Sequence, residues 1–527
     1  MSVAPAQVIG VVGAGTMGAG IAQLACLSEA TTVLHDPVPE ALERGLASVR
    51  ENLRKGAARG RWSAEEAEAA SARLAAGSLT DLAPCELVIE AAPESLEIKH
   101  ELFASLSEIV SADCVLATNT SSLPVTAIAA AARPAERVVG MHFFNPAPLM
   151  RLVEVVAGED SAEWALERTR ATGEAMGKRV IAAADGPGFL VNRCNRPFGL
   201  EALRLLAEGI ADVPTIDRIV RLGGGFRMGP FELMDLVGVD LGLEVSKSFY
   251  AQSFGEPRWR PSPITQRMVD AGRYGRKSGR GYYDYVSGEH RPADPEPPPV
   301  GGGAGLVVVS GAGTLAEELR DAARGAGWEV GDSEDATGEP AALVVDCRLG
   351  ESDPAPGGPR ALLCDTNSLA SRDLEGGAVG FHALPPLEES RLVELTRGPR
   401  STEAAVDGAV RFFTSLGKHV AWVGDAPGLV LGRIVCQVIN ESAFALGEGI
   451  GSAQDIDAGM VLGLNHPRGP LEWADQMDIE HVLGVLQGLH LLYQEERYRT
   501  APALSRLFFE GRLGRRTGAG FHTYQAS

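Results

Sequence analysis

VIGVVGAGTMG, Val8–Gly18, is the stretch whose reading decides the fold. Its first five residues are apolar and mostly β-branched, as in a strand buried on both faces of a parallel sheet. GAGTMG then fits G-x-G-x-x-G at Gly13, Gly15 and Gly18, with Ala14, Thr16 and Met17 filling the turn. The first glycine allows a tight turn, the second lets backbone approach a pyrophosphate, and the third lets helix and strand pack closely. The helix that follows offers unpaired N–H groups and a partial positive charge to an anion. Asp36 comes 23 residues after Gly13, behind the apolar run Thr31–His35. That is the spacing of a carboxylate that accepts from a ribose 2′-hydroxyl. Pro37, Val38, Pro39 and Glu40 offer no cation for a 2′-phosphate, so the expected cofactor is NAD. The bland alternative for Asp36 is a turn carboxylate ahead of Pro37.

Outward from this unit, Leu87–Ala91, Val115–Thr118 and Val138–Met141 read as further strands, the last ending at His142. Strands alternating with helices indicate a doubly wound α/β sheet. Between Asp36 and Leu87 an Ala/Glu/Arg-rich stretch is helical by propensity. It is longer than one crossover needs, so it is expected to form a helical hairpin projecting from the sheet. From Gly188 to about Phe254 the spacing of Leu and Ala is helical. Val286–Gly305, rich in Pro and Gly, reads as a linker.

The chain then repeats itself. GMHFFNPAPLMRLVEVV (Gly140–Val156) recurs in damaged form as GFHALPPLEESRLVEL (Gly380–Leu395). An offset of 240 links His142 to His382, Glu154 to Glu394, Asp185 to Asp425, Glu208 to Glu448, and Asp235 to Asp475. So long a period is a duplicated domain rather than a solenoid. The second copy is short. Gly13 to His142 spans 129 residues, Gly311 to His382 only 71. The loss falls largely after Asp332, so the helical hairpin is missing there. The expected order is a first α/β unit (1–184), an all-α domain (185–286), a linker (287–305), a truncated, degenerate α/β unit (306–424) and a second all-α domain (425–527).

Composition bounds the partners. A chain of 527 residues with 45% apolar content can bury several cores. A formal charge of −21 argues against nucleic acid and anionic membranes. The seven cysteines are scattered without a CxxC pair, which fits reduced thiols in a cytoplasmic protein and neither disulfides nor a metal site. No signal peptide and no membrane span are read.

Oxidising an alcohol needs a base titrating near neutrality, and a histidine suits. His142 is placed where ligands sit in an open α/β sheet. Glu154, twelve residues on, could return to hold the imidazole. Taken alone, such a pair is more often structural than catalytic.

The weighting changes when GAGTMG is read together with VIEAAPESLEIK (Val88–Lys99), ATNTSSL (Ala117–Leu123), GMHFFNPAPLMRLVEV and DGPGFLVNR (Asp185–Arg193). In this order they resemble the L-3-hydroxyacyl-CoA dehydrogenase family, from Val8 to Tyr285. The whole arrangement is similar to the long bacterial 3-hydroxybutyryl/3-hydroxyadipyl-CoA dehydrogenases, some of which serve phenylacetate breakdown. The resemblance implies a Rossmann domain with His142 as general base and Glu154 as its partner. It implies Ser121 and Asn192 on the reacting oxygen. Glu94, Lys99, Ser121, Asn145 and Lys277 would meet NAD, beside Gly13–Gly18 and Asp36. Ser48 and Lys55, with Ser121, would meet coenzyme A. This answers how a polyanion could bind an acidic chain: Arg50, Arg54, Lys55, Arg59 and Arg61 cluster on the hairpin. Such a run is otherwise a solvated helix face.

In the second copy Gly432 stands for Asn192 and Pro385 for Asn145, so no second active site is expected. The retained helical domain then suggests a pseudo-dimer within one chain, with a homo-oligomer left open. Two rivals remain: a dehydrogenase of free 3-hydroxy acids, and a non-catalytic crystallin-like or scaffold protein. Arg151 and Arg193 could meet an acyl carboxylate, or pair with acids of the fold.

Overall fold

The computed structural model describes residues 3–331, 341–348 and 358–525. The chain forms two compact units: Met1–Arg193 with Gly449–Leu464, and Cys194–Glu448 with Asn465–Ser527.

In the first unit β1 (Val8–Val12) leads through the glycine turn to α1 (Thr16–Leu27) and β2 (Thr31–His35). The stretch after Asp36 forms α2 (Pro39–Ala58) and α3 (Ala64–Ala72), and adds an edge strand, β3 (Leu74–Ala76). α2 opens on Pro39 and buries Gly45, Val49, Leu53 and Gly56 along one stripe, as an amphipathic helix should. A capping box between Ser63 and Glu66 starts α3. There follow β4 (Leu87–Glu90), α4 (Leu96–Ile109), β5 (Val115–Thr118), α5 (Val125–Ala129), β6 (Val138–Phe143), β7 (Leu152–Ala157), α6 (Glu163–Ala175), β8 (Arg179–Ala184) and α7 (Val191–Cys194). The sheet order is β3-β2-β1-β4-β5-β6-β7-β8, and only β6 and β7 pair antiparallel.

That antiparallel pair carries the strand read as ending at His142 one residue further, with His142 at its carboxyl end as expected. β6 continues to Phe143 because β7 extends its ladder, and His142 lies directly opposite Glu154 in the register. The two side chains therefore leave the same face of the sheet as cross-strand neighbours.

The second unit begins with α8 (Arg196–Ala207), α9 (Val213–Gly224), α10 (Pro230–Val237), α11 (Val239–Gln252) and α12 (Pro263–Asp270). The Pro/Gly-rich segment after it is tied down. Arg221 pairs with Asp294 at 2.8 Å, His290 with Glu232 at 2.9 Å, and Gly301 N–H donates to the Ser415 carbonyl. A second α/β fold follows: β9 (Leu306–Ser310), α13 (Thr314–Gly325), β10 (Glu329–Gly331), β11 (Leu343–Asp346), β12 (Arg360–Leu363), α14 (Leu369–Arg372), β13 (Val379–His382), β14 (Leu392–Arg397), α15 (Glu403–Ser415) and β15 (His419–Trp422). Its order, β10-β9-β11-β12-β13-β14-β15, repeats the first, with no equivalent of β3 among the described residues. The ten residues expected after Asp332 lie mostly outside the described ones. The chain ends with α16 (Leu431–Gly447), α17 (Ala453–Leu464), α18 (Pro470–Met477), α19 (Ile479–Tyr493) and α20 (Pro502–Phe509).

One helix from each repeat serves the other repeat's sheet. In the first unit Ala184 N–H donates to the Ile450 carbonyl at 2.9 Å, and α17 packs on β7 and β8. In the second, Gly424 N–H donates to the Ile210 carbonyl at 2.7 Å, and α9 packs on β14. Ala184 and Gly424, like Ile210 and Ile450, are related by the 240-residue offset, so the exchange is reciprocal.

Candidate functional site

The glycine turn is built for a close-lying anion. Gly13 holds φ +100°, and a Cβ there would come within 2.5 Å of the Ala91 carbonyl oxygen. A Cβ on Gly18 would meet the Gly13 carbonyl oxygen at 1.7 Å, whereas one on Gly15 would meet nothing. The backbone is thus pressed against its neighbours on both sides and open in the middle. α1 begins there with no side-chain cap on Gly15, which leaves its first N–H groups for a ligand. Asp36 closes the turn: one carboxylate oxygen accepts from Ala14 N–H at 2.8 Å, the other from Val38 N–H at 2.9 Å. A carboxylate has lone pairs beyond those two. The turn therefore fits a dinucleotide.

His142 and Glu154 are both buried. The imidazole Nδ1 meets a Glu154 carboxylate oxygen at 2.6 Å. The other Glu154 oxygen accepts from the N–H groups of Leu190 and Val191, at 3.2 and 3.0 Å. Those donors come from the start of α7, which the left-handed turn at Gly188 and Phe189 (φ 71° and 52°) swings onto the carboxylate. With Nδ1 occupied, Nε2 is the nitrogen left for a reaction. Phe144 and Phe189 flank the ring, with centroids 4.7 and 5.9 Å away. Asn119, which the sequence reading passed over, accepts from Phe143 N–H at 2.8 Å and ties the end of β5 to that of β6. Its only signal was its place two residues before Ser121.

α17 supports this group from behind. A Cβ on Gly459 would meet Val191 at 2.7 Å, and one on Gly463 would meet Leu152 at 2.9 Å and Phe144 at 3.4 Å. Small residues thus let a helix of the second repeat lie against the strand and turn that hold Glu154.

The other expected contacts fall in three groups. Glu94 sits under the loop after β5, accepting from the Thr120 hydroxyl at 2.7 Å and from Ser121 N–H at 3.0 Å. Burial raises its pKa, but the Lys99 charge and these hydrogen bonds outweigh it and hold the carboxyl below its ordinary value. Lys99 is itself buried, 2.6 Å from Glu90 and 3.4 Å from Glu94, so what it can offer a cofactor is the position of Glu94. Ser121 and Asn145 are exposed, and Asn192, the second residue of α7, makes no hydrogen bond with the described residues. Lys277 belongs to the second unit, where its ammonium pairs with Asp240 at 2.6 Å.

On the hairpin, Ser48, Asn52, Lys55, Arg59, Arg61 and Trp62 line a cavity of about 300 Å³ that α1 and Pro148 close from the other side. Ser48 and Lys55 thus come together, and Asn52 and Trp62 join them unforeseen. Glu51, 3.4 Å from Lys55, is its exposed counter-ion.

The second repeat has lost this arrangement. Glu394 accepts from Val430 N–H at 2.8 Å and Leu431 N–H at 3.1 Å, but not from His382. Burial drives its carboxyl up to about 8. His382 faces His481, ring nitrogens 3.2 Å apart, and its Nδ1 has no partner among the described residues. A Cβ on Gly432, where Asn192 stands in the first repeat, would sit 2.3 Å from the His382 ring. Gly488 of α19 lies against the Thr366 carbonyl, where a Cβ would be 2.2 Å away. The start of α13 is also taken: Thr314 N–H and hydroxyl both donate to one Asp478 oxygen, at 3.0 and 2.9 Å. An internal carboxylate occupies the place a pyrophosphate would need.

Among the described residues no group of His, Cys, Asp and Glu could hold a metal ion. Among the same residues no helix is long and apolar enough to cross a membrane. All seven cysteines are buried.

Comparison with known proteins agrees in both halves. Residues 8–186 match the family profile "3-hydroxyacyl-CoA dehydrogenase, NAD binding domain". Residues 188–285 and again 428–524 match "3-hydroxyacyl-CoA dehydrogenase, C-terminal domain". The chain is 36% identical over 501 residues to a 3-hydroxyadipyl-CoA dehydrogenase of Escherichia coli K12, covering 94% of this chain and 96% of that one. It is 41% identical over 277 residues to a probable 3-hydroxybutyryl-CoA dehydrogenase of Deinococcus radiodurans, covering 52% of this chain and 99% of the other. Among solved structures it is similar to a 3-hydroxybutyryl-CoA dehydrogenase from Escherichia coli K12, with TM-score 0.81 and 34% identity over 96% and 99% of the two chains.

Proposed function

The chain belongs to the 3-hydroxyacyl-CoA dehydrogenase family, and from that premise we propose that it oxidises an (S)-3-hydroxyacyl-CoA to the 3-oxoacyl-CoA with His142 as general base. Bound NAD supplies the hydride acceptor. His142 takes the hydroxyl proton on Nε2. Glu154, on Nδ1, fixes the tautomer and favours the imidazolium that forms. Ser121 and Asn192 orient the oxygen, so alignment is in place before the chemistry begins. The reverse step reduces the 3-oxo compound with the same groups. The hairpin cavity takes coenzyme A through Ser48, Lys55 and the neighbouring arginines. Relatives bear the names of two substrates, 3-hydroxybutyryl-CoA and 3-hydroxyadipyl-CoA, and both are candidates.

The observation that carries this reading is the 2.6 Å His142–Glu154 pair set beside its broken copy at His382 and Glu394. A scaffold protein would have no reason to keep one intact and lose the other. We take the chain to be five segments, divided at 184, 286, 305 and 424, with its two helical domains paired as a pseudo-dimer in a cytoplasmic enzyme. Turnover of acetoacetyl-CoA with NADH is expected. No turnover would favour the scaffold reading, and oxidation of free 3-hydroxybutyrate without CoA would favour the free-acid one.

A further inference from the structure

Gln23 of α1 is 3% exposed, and its carboxamide oxygen is buried without a hydrogen-bond partner among the described residues. A buried amide left unpaired is unfavourable unless something else meets it. Gln23 lines the hairpin cavity of about 300 Å³. With Thr16, Ala19 and Gly20 it makes up one face of α1, at helical spacing. Ser48, Asn52, Lys55 and Arg59 make up the facing side of α2 by the same spacing.

The second repeat shows what this face of α1 becomes without a hairpin. Gly311 stands for Gly13, so Thr314, Glu317, Glu318 and Asp321 stand for Thr16, Ala19, Gly20 and Gln23. The ten residues between Asp332 and Leu343 are too few for a helical hairpin. The face is acidic there. Glu318 accepts from Leu387 N–H at 2.7 Å, and the exposed Asp321 pairs with Arg324 at 2.9 Å. Three carboxylates would repel a phosphorylated ligand. A small, neutral face with a buried carboxamide occurs only in the repeat whose hairpin brings cations to it.

The cavity has the chemistry for one end of coenzyme A, and its volume lies at the bottom of the range for drug-sized ligands. Lys55, Arg59 and Arg61 in its lining are exposed and suit phosphates. In coenzyme A one ribose separates phosphates from adenine. Adenine presents an N6–H donor beside the N7 acceptor, a pattern that a glutamine carboxamide pairs in two hydrogen bonds. A pantetheine amide holds its N–H and C=O on opposite sides and can use only half of the carboxamide. Adenine also has a flat face for an aromatic ring. Trp62 supplies one. Its Nε1–H donates to the Leu53 carbonyl at 2.8 Å, and Gly56 lies so close that a Cβ there would fall 1.9 Å from the ring. NAD carries an adenine too, but Asp36, which suits its ribose, is not in this lining.

Resting on the dehydrogenase reading above, we infer that Gln23 reads the adenine of coenzyme A: its carboxamide pairs with the edge of the base, Trp62 meets the face, and Lys55, Arg59 and Arg61 take the phosphates.

The test uses acetoacetyl-CoA and its 1,N6-etheno derivative, in which a two-carbon bridge removes the N6–H donor, each reduced with NADH. In the wild type the etheno group should raise KM about 10-fold, the scale for losing a two-bond contact to a base, with kcat within a few-fold. Gln23→Leu should raise KM for acetoacetyl-CoA by a similar factor and make the two substrates equal. Acetoacetyl-pantetheine, which lacks base and nucleotide phosphates, should be turned over equally by both proteins and so reports that the variant is folded. Etheno-NADH separates the two adenines: a KM penalty there that Gln23→Leu abolishes would move the residue to NAD and overturn the assignment. No wild-type discrimination against etheno-CoA, or the same discrimination in Gln23→Leu, would overturn it and leave the dehydrogenase reading standing. No wild-type turnover of acetoacetyl-CoA would overturn both.

Discussion

His142 and His382 put the same imidazole on corresponding strands, and only the first has a carboxylate on Nδ1. Changing His142 to Gln should therefore lower kcat by at least about 10²-fold, the usual scale for a general base, with NADH binding little changed. His382→Ala should leave turnover within a few-fold of the wild type. Steady-state kinetics with an NADH titration on both variants checks the pair, and a near-normal His142→Gln would remove that residue from the mechanism. Glu394 carries a second expectation. Its carboxyl is raised from 4.5 to about 8 by burial, against the hydrogen bonds from Val430 and Leu431. A raised acid binds more protons folded than unfolded. The stability it contributes is whole below about pH 4.5, falls as pH climbs, and is gone above about pH 8. Glu394→Gln keeps the shape and an accepting oxygen but cannot titrate, so its thermal midpoint should fall less between pH 5 and 8 than the wild type's. Superimposable slopes would show that Glu394 ionises freely. Residue identity made the site legible where a motif surrounded it, as at His142. It could not show that His382 faces His481 while Glu394 turns to the Val430 and Leu431 N–H groups, because partners belong to the fold.

Elements were legible in proportion to how local their causes are. β1 and the glycine turn are specified within eleven residues and lie where the sequence puts them. β7 was missed, although LVEVV is an apolar β-branched run, because nothing local says that a strand will pair antiparallel in an otherwise parallel sheet. That omission cost the register, and the register is what sets Glu154 opposite His142. The edge strand β3 has only three residues, too few for a pattern to show. The hairpin was legible by propensity and by length, but its cavity was not, since Asn52 and Trp62 meet Ser48 and Lys55 only once α2 and α3 fold back. The hairpin reading gives a test. Lys55→Glu places a second acid beside Glu51 and should raise KM for acyl-CoA far more than KM for NADH, while the wild-type KM for acyl-CoA should worsen with added salt. Equal shifts in both KM values, or none, would make the hairpin an ordinary solvated face.

At the scale of the molecule, duplication has divided labour between two copies of one fold. The second copy fills its own anion site with Asp478, closes on His382 through Gly432 and lays α19 against Thr366. It still gives α17 to the first unit, where Gly459 and Gly463 rest on Val191, Leu152 and Phe144. Val191 donates to Glu154 and Phe144 stacks beside His142, so the damaged repeat supports the working dyad through packing. The α9 helix repays this on β14, and neither sheet is covered by its own repeat alone. A chain cut to Met1–Ser287 keeps every proposed catalytic residue but loses α17, leaving Leu152, Leu190 and Val191 without their cover. An apolar face of that kind seeks a partner. The fragment should either precipitate or dimerise, with a second copy's 210–224 segment taking the place of 450–464 by the local two-fold relation. In the dimeric outcome activity should rise with protein concentration. Sedimentation of the fragment with parallel turnover assays decides the matter: a fragment that stays monomeric, soluble and fully active would show that the second repeat gives nothing to the first.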